Sequence, residues 1–354
     1  MNAGAREAGE GWGALSAVPL FAGISTADLE RLEHFMARFE VAAGERLFRQ
    51  GDDASCMYVV ESGSLEIRAE LTGGKSKALA RTGADGLLGE ISLLVGGTRT
   101  ATAVACEPTS GWVLYRSGFQ MLRLDGTAGS VELMARLTEL AVKRVRARYE
   151  AIAADLVSDA TAGEEVAMRA PTVAAARELA SAEYIRGLLC FRDFHDDEQI
   201  AAALGDARPV ELERGAYAVE PDSTPRDLLL VLRGALDVSV RNGAAAQRVR
   251  LAGPGRFVGH VGVLDGGSSP VVAHTRERVV MVELPGERVR AMLRDPSAPA
   301  RRFSAAVAED VARALRQAER PMARTWAASA TQLDWRRPER DERERPGSGA
   351  LMLS

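Results

Sequence analysis

An internal repeat constrains this chain more than any other feature. AGERLF at 43–48 and MYVVESGSLEI at 57–67 return downstream as RGAYAV at 214–219 and LLLVLRGALDV at 228–238. Gly44 and Gly215 stand 171 residues apart, as do Gly63 and Gly234, and Gly89 stands 170 from Gly259. Three glycines in one register within a residue identify a duplicated domain, since turn glycines are fixed by backbone geometry. The 354 residues suffice for two such domains, each with its own core.

Each copy has the same layout. A short helix comes first, with Ser25 and Asp28 as a capping box ahead of Leu29, Leu32, Phe35 and Met36, and with Asp196 as the cap ahead of Ile200 and Leu204. Short apolar runs broken by Gly and Asp follow, such as CMYVVESGSLEIRAEL and ATAVACEPTSGWVLYR. Runs of this length with frequent turn signals predict an antiparallel roll. The fold class expected is mainly β with flanking helices: two tandem β-rolls of jelly-roll type, each followed by a helix.

After the first roll, Met134, Leu137, Ala141, Val145, Tyr149, Ile152 and Leu156 step by three or four, which predicts a long helix over about 130–156. Its other face carries Lys143, Arg144, Arg146 and Arg148, read as a solvated face. The second copy ends in a helical pattern from Phe303 to Arg316. The expected division is a flexible segment 1–17, a first domain 18–156, an Ala-rich linker 157–182, a second domain 183–325 and a disordered charged tail 326–354.

Composition narrows the class. The net charge of −4 and pI near 5.8 supply no basic footprint for nucleic acid. Cys56, Cys106 and Cys190 are widely spaced, with no CxxC pair or Cys/His cluster, so neither a disulfide framework nor a metal site is expected. No signal-peptide pattern and no apolar run of about 18 residues occurs, which predicts a cytoplasmic protein without a membrane span.

Residues 86–103, GLLGEISLLVGGTRTATA, concentrate the chemistry. Gly86 and Gly89 permit close backbone approach to a ligand. Residues 90–94 can form one helical turn whose amides face an anion. Arg99, nine residues after Glu90, can neutralise that anion with forked donors, while Glu90 can accept from sugar hydroxyls. A phosphate joined to a sugar suits this combination; a surface ion pair between the two residues is the plain alternative.

The segment resembles the phosphate-binding cassette of cyclic-nucleotide-binding domains, as found in cAMP receptor proteins and kinase regulatory subunits. LGEISLL and RTATA carry the resemblance, with AGERLFRQGDDASCMYVVESGSLEI resembling the strands before the cassette. It implies that Glu90 binds the ribose 2′-hydroxyl and Arg99 the cyclic phosphate. Leu88, Gly89, Ile91, Ser92, Thr100 and Ala101 fall on neighbouring cassette positions, with Leu88 in place of the usual Phe. The ligand implied is cAMP or cGMP. A Thr after the Arg, as Thr100 is here, reaches the guanine amino group in some relatives, while other relatives with that Thr prefer cAMP, and cAMP is the ligand expected.

The second copy departs from this pattern. Register from Gly259 places His260 at the Glu90 position and Ser269 at the Arg99 position, with Pro270 beside it. Exchanging a charge-assisted contact for a hydroxyl forfeits about 1.5–3 kcal/mol, roughly ten- to a hundredfold in affinity. This copy is expected to keep the fold and bind nucleotide weakly or not at all, Arg276 or Arg278 being the candidate substitute arginines.

No nucleotide-hydrolysing loop, nucleophile elbow, HExxH or kinase signature is present, so an enzyme is not expected. Neither the helix-turn-helix of related transcription regulators nor an Arg-Arg inhibitor segment before the first domain is visible. The expected function is a cyclic-nucleotide sensor. The helix at 130–156 would close as a lid, pass movement through the linker to the second domain or a partner, and pair two chains as a homodimer. The competing reading is a scaffold of two non-binding rolls.

Overall fold

The computed structural model describes residues 16, 18–71, 75–156 and 181–334, with only the backbone course for 320–334. The expected linker, apart from 181 and 182, falls outside these residues, as do 335–354 of the tail and nearly all of 1–17.

The first copy opens with helix α1 (Thr26–Glu33), capped by the Ser25 hydroxyl, which accepts from the Asp28 amide. Asp28 does not complete a capping box: its carboxylate accepts from Gly129 N at 3.1 Å and ties this helix to the far side of the roll. Strands β1 (Met36–Val41), β2 (Arg46–Phe48), β3 (Cys56–Ser62), β4 (Leu65–Glu70), β5 (Ser76–Thr82) and β6 (Leu87–Leu88) precede the short helix α2 (Glu90–Val95). Strands β7 (Thr102–Ala105) and β8 (Thr109–Tyr115) close the roll, followed by α3 (Arg116–Asp125) and the long α4 (Ala128–Ala154).

The second copy repeats this plan. It comprises α5 (Ala182–Arg186), a 3-10 turn, α6 (Asp197–Leu204), β9 (Arg208–Leu212), β10 (Tyr217–Val219), β11 (Asp227–Arg233), β12 (Leu236–Asn242) and β13 (Ala245–Ala252). Then come β14 (Phe257–Val258), α7 (His260–Asp265), β15 (Val272–Thr275), β16 (Val279–Pro285), α8 (Gly286–Met292) and α9 (Ala298–Asp334). Asp196 caps α6 as expected, accepting from Gln199 N at 2.8 Å. Helix α9 continues past the boundary expected at 326.

Both rolls are built from two antiparallel four-stranded sheets in the same order. The first has β1-β8-β3-β6 and β2-β7-β4-β5; the second has β9-β16-β11-β14 and β10-β15-β12-β13. The two interiors are filled differently. Val41, Phe48, Tyr58 and Ile67 in the first roll are only half-buried, whereas their register mates Leu212, Val219, Leu229 and Val238 are buried.

The cause lies in the long helices. Ala141, Val142, Val145, Tyr149 and Ile152 of α4 belong to the hydrophobic core of the second roll. In return, Ala308 and Ala312 of α9 join the core around α1 and α3 of the first. The apolar stripe of α4, expected to face a partner or a second chain, packs within this chain against the second domain and α9.

Candidate functional site

Strand β6 delivers the cassette. Leu88 pairs with Tyr58, and Gly89 then adopts φ +83°, a left-handed conformation open to glycine at low cost. A Cβ at Gly89 would lie 2.0 Å from Arg99 Nη1, so the missing side chain is what admits the arginine. Arg99 is 5% exposed. Its Nη2 donates to the Cys56 carbonyl at 2.8 Å and to Cys56 Sγ at 3.2 Å. The guanidinium lies 4.3 Å from the Phe48 ring centre and 5.3 Å from that of Tyr58. Nε and Nη1 are buried and have no hydrogen-bond partner among the described residues. Buried donors left unpaired are costly, and an anion beside them would relieve that cost.

Glu90 is 1% exposed. One carboxylate oxygen takes Arg144 Nη1 of α4, while Oε2 has no partner among the described residues. Arg144 Nη2 also donates to the Leu87 carbonyl at 2.9 Å. The basic face of α4 is thus not the solvated face expected. Arg144 pins the cassette, Arg146 binds Asp265 and the Ser268 carbonyl at 2.8 Å each, and Arg148 donates to the Ala318 carbonyl at 3.3 Å. Lys143 alone of the four is exposed.

Ser92 is buried, and its carbonyl accepts from Arg116 at 2.6 Å. Ile91 packs between the cores of both domains. The structure thus brings Arg99 back against Gly89, directly before the run Glu90, Ile91 and Ser92 of α2; Leu88 and Ala101 are buried, and Thr100 is exposed.

The second cassette has the same backbone and a different filling. Gly259 has φ +87° and precedes α7 as Gly89 precedes α2. His260 is buried with both ring nitrogens unpartnered among the described residues. Burial and, secondarily, the Arg250 charge push its pKa down to about 4. Ser269 turns its hydroxyl onto the Val271 carbonyl at 2.7 Å. Tyr149 of α4 enters from the first domain, 1% exposed, and leaves a cavity of about 10 Å³ lined by Tyr149, Arg250, Gly259, His260 and Ser269 among others. That is room for at most one water.

Arg276 and Arg278 do not substitute for the missing arginine, being paired with Asp237 and Glu211. The arginine at this site is Arg250, in a fully buried ion pair with Asp310 of α9 at 3.1 Å. Sequence reasoning missed this pair. The available signal was Asp310, an acid within the apolar stripe of the last helix.

Among the described residues, no group of His, Cys, Asp and Glu is placed to hold a metal ion, and no helix is long and apolar enough to cross a membrane.

The sequence profile described as "Cyclic nucleotide-binding domain" matches residues 38–124 and again 209–295. The chain is 35% identical over 104 residues to the "Cyclic AMP receptor protein" of Thermus thermophilus, covering 29% of this chain and 48% of that one. It is 34% identical over 135 residues to "Acetyltransferase Pat" of Mycolicibacterium smegmatis, 38% of each. The matches thus span less than half the length of these curated relatives. Among solved structures, the regulatory domain of Toxoplasma gondii PKA with cAMP aligns over 80% of this chain and 93% of that one, at 18% identity and TM-score 0.30. With the profile falling on both rolls in the register of the repeat, this chain belongs to the cyclic nucleotide-binding domain family and carries two tandem domains of it.

Proposed function

We propose that this chain is a regulatory sensor that binds cAMP, or cGMP in its place, in the first roll alone. Arg99 pairs with the cyclic phosphate, Glu90 accepts the ribose 2′-hydroxyl, and Leu88, Gly89, Ile91, Ser92, Thr100 and Ala101 shape the surrounding wall. The observation that carries this reading is the contrast between interiors. The first roll holds a buried arginine with two unpartnered nitrogens over the half-buried Phe48 and Tyr58, while Tyr149 and the Arg250–Asp310 pair fill the second. The scaffold reading therefore suits the second domain and not the first.

A ligand shifts an equilibrium only by its differential affinity for two states. Here the difference arises at Glu90, whose carboxylate is held by Arg144 of α4. Ligand at Glu90 competes with that arginine, so α4 responds and carries the response into the second domain through Tyr149 and Arg146. The route to the second domain runs through side chains on α4 and not only through the linker. No catalytic step belongs to this reading.

Thermal melting tests it. A cAMP concentration ten times the dissociation constant adds about 1.4 kcal/mol to stability. Wild type is expected to melt higher with ligand and Arg99→Ala to melt unchanged. Equal stabilisation of the two proteins would reject the site.

A further inference from the structure

Among the described residues, Arg99 is a buried cation whose donors meet no carboxylate. Its Nη2 donates to the carbonyl and the sulfur of Cys56, and Nε and Nη1 have no partner. What faces its charge is aromatic. The guanidinium carbon lies 4.3 Å over the Phe48 ring centre and 5.3 Å over that of Tyr58, and the two rings stack with centres 5.7 Å apart. The backbone holds this arrangement: Gly51 N donates to the Arg99 carbonyl at 3.0 Å, and Arg99 N donates to the Asp52 carbonyl at 2.9 Å. The turn after β2, and with it Phe48, is thereby docked on the arginine. The repeat supplies a second, independent observation. In the second roll the register mates of Phe48, Tyr58 and Arg99 are Val219, Leu229 and Ser269, so the copy that lacks the arginine lacks both rings as well.

We infer that Phe48 is a positioning residue of the first-domain site: its ring face holds the Arg99 guanidinium in place while leaving Nε and Nη1 for the ligand's anion. The inference rests on the reading that the cyclic phosphate pairs with Arg99. A carboxylate in the place of Phe48 would take those donors and neutralise the charge that the phosphate needs. The face of an aromatic ring is negative and attracts a cation without accepting its in-plane N–H groups, and a planar guanidinium suits such a face. Phe48 thus acts on the phosphate through Arg99.

The test titrates the full chain with cAMP by calorimetry, with position 48 carrying phenylalanine, its mono-, di- and trifluorinated analogues, tyrosine or leucine. Fluorine withdraws charge from the ring face and leaves the ring itself in place. Affinity is expected to fall stepwise with each fluorine, to about tenfold below wild type for the trifluorinated ring. Phe48→Leu is expected to lose about tenfold and Phe48→Tyr to stay within about threefold of wild type. Should Phe48→Leu fail to fold, the fluorinated series, which keeps the ring, carries the test. Affinity that stays level or rises across that series overturns the role of Phe48 and leaves the site intact, even where Phe48→Leu binds more weakly. No binding of cAMP by wild type rejects the site itself, and this inference with it.

Discussion

Arg146 and Arg316 stand 170 residues apart and make the same contact in opposite directions. Arg146, on α4, binds Asp265 and the Ser268 carbonyl where α7 ends in the second domain. Arg316, on α9, binds the Gly96 carbonyl where α2 ends in the first. Each domain thus clamps the cassette helix of the other. The chain holds an internal pseudo-two-fold in which duplicated domains exchange their long helices.

This exchange predicts that damage crosses the interface. Arg146→Ala removes a half-buried ion pair and should cost about 1–3 kcal/mol. Hydrogen exchange should then rise at 260–268, in the domain that does not contain the mutation. Arg316→Ala should act likewise on 92–97. Changes confined to the mutated helix would contradict the exchange.

The two cassette glycines separate stability from binding. Gly89 and Gly259 share a left-handed backbone, so alanine at either costs about 1–2 kcal/mol. Only at Gly89 does the new Cβ strike the arginine, at 2.0 Å from Nη1, against 3.3 Å from the Asp227 carbonyl at Gly259. Gly89→Ala should lose cAMP binding in calorimetry, and Gly259→Ala should lower the melting temperature with binding intact.

His260 gives the second domain an acid limit. Its pKa is lowered from 6.5 to about 4, so the folded state binds fewer protons than the unfolded state between those values. Stability is complete above pH 6.5 and drains as pH falls toward 4, by on the order of 3 kcal/mol for the full shift. Urea unfolding of His260→Leu across this window should be flatter than wild type. Parallel slopes would assign the acid sensitivity to other groups.

The repeat, the rolls, the caps at Ser25 and Asp196, and the cassette were legible because each rests on local spacing: turn glycines, apolar periods and a Glu–Arg interval within one segment. What lay hidden depended on contacts distant in sequence. Arg144, Arg146 and Arg148 look like a solvated face until the second domain and α9 are seen to pack on α4. Tyr149 reads as an ordinary member of an apolar stripe, and nothing local says that it fills the pocket of another domain. Arg250 and Asp310 satisfy each other across 60 residues, a pairing that helical or strand periodicity does not encode. Asp28 was legible as a polar residue near a helix start, but its bond to Gly129 spans 101 residues.

The central claim is one open site per chain, formed in the first roll around Arg99. Isothermal titration of the full chain with cAMP tests it most directly. The account predicts one equivalent bound per chain, abolished by Arg99→Ala and unchanged by Ser269→Ala. Two equivalents, or binding that survives Arg99→Ala, would contradict it.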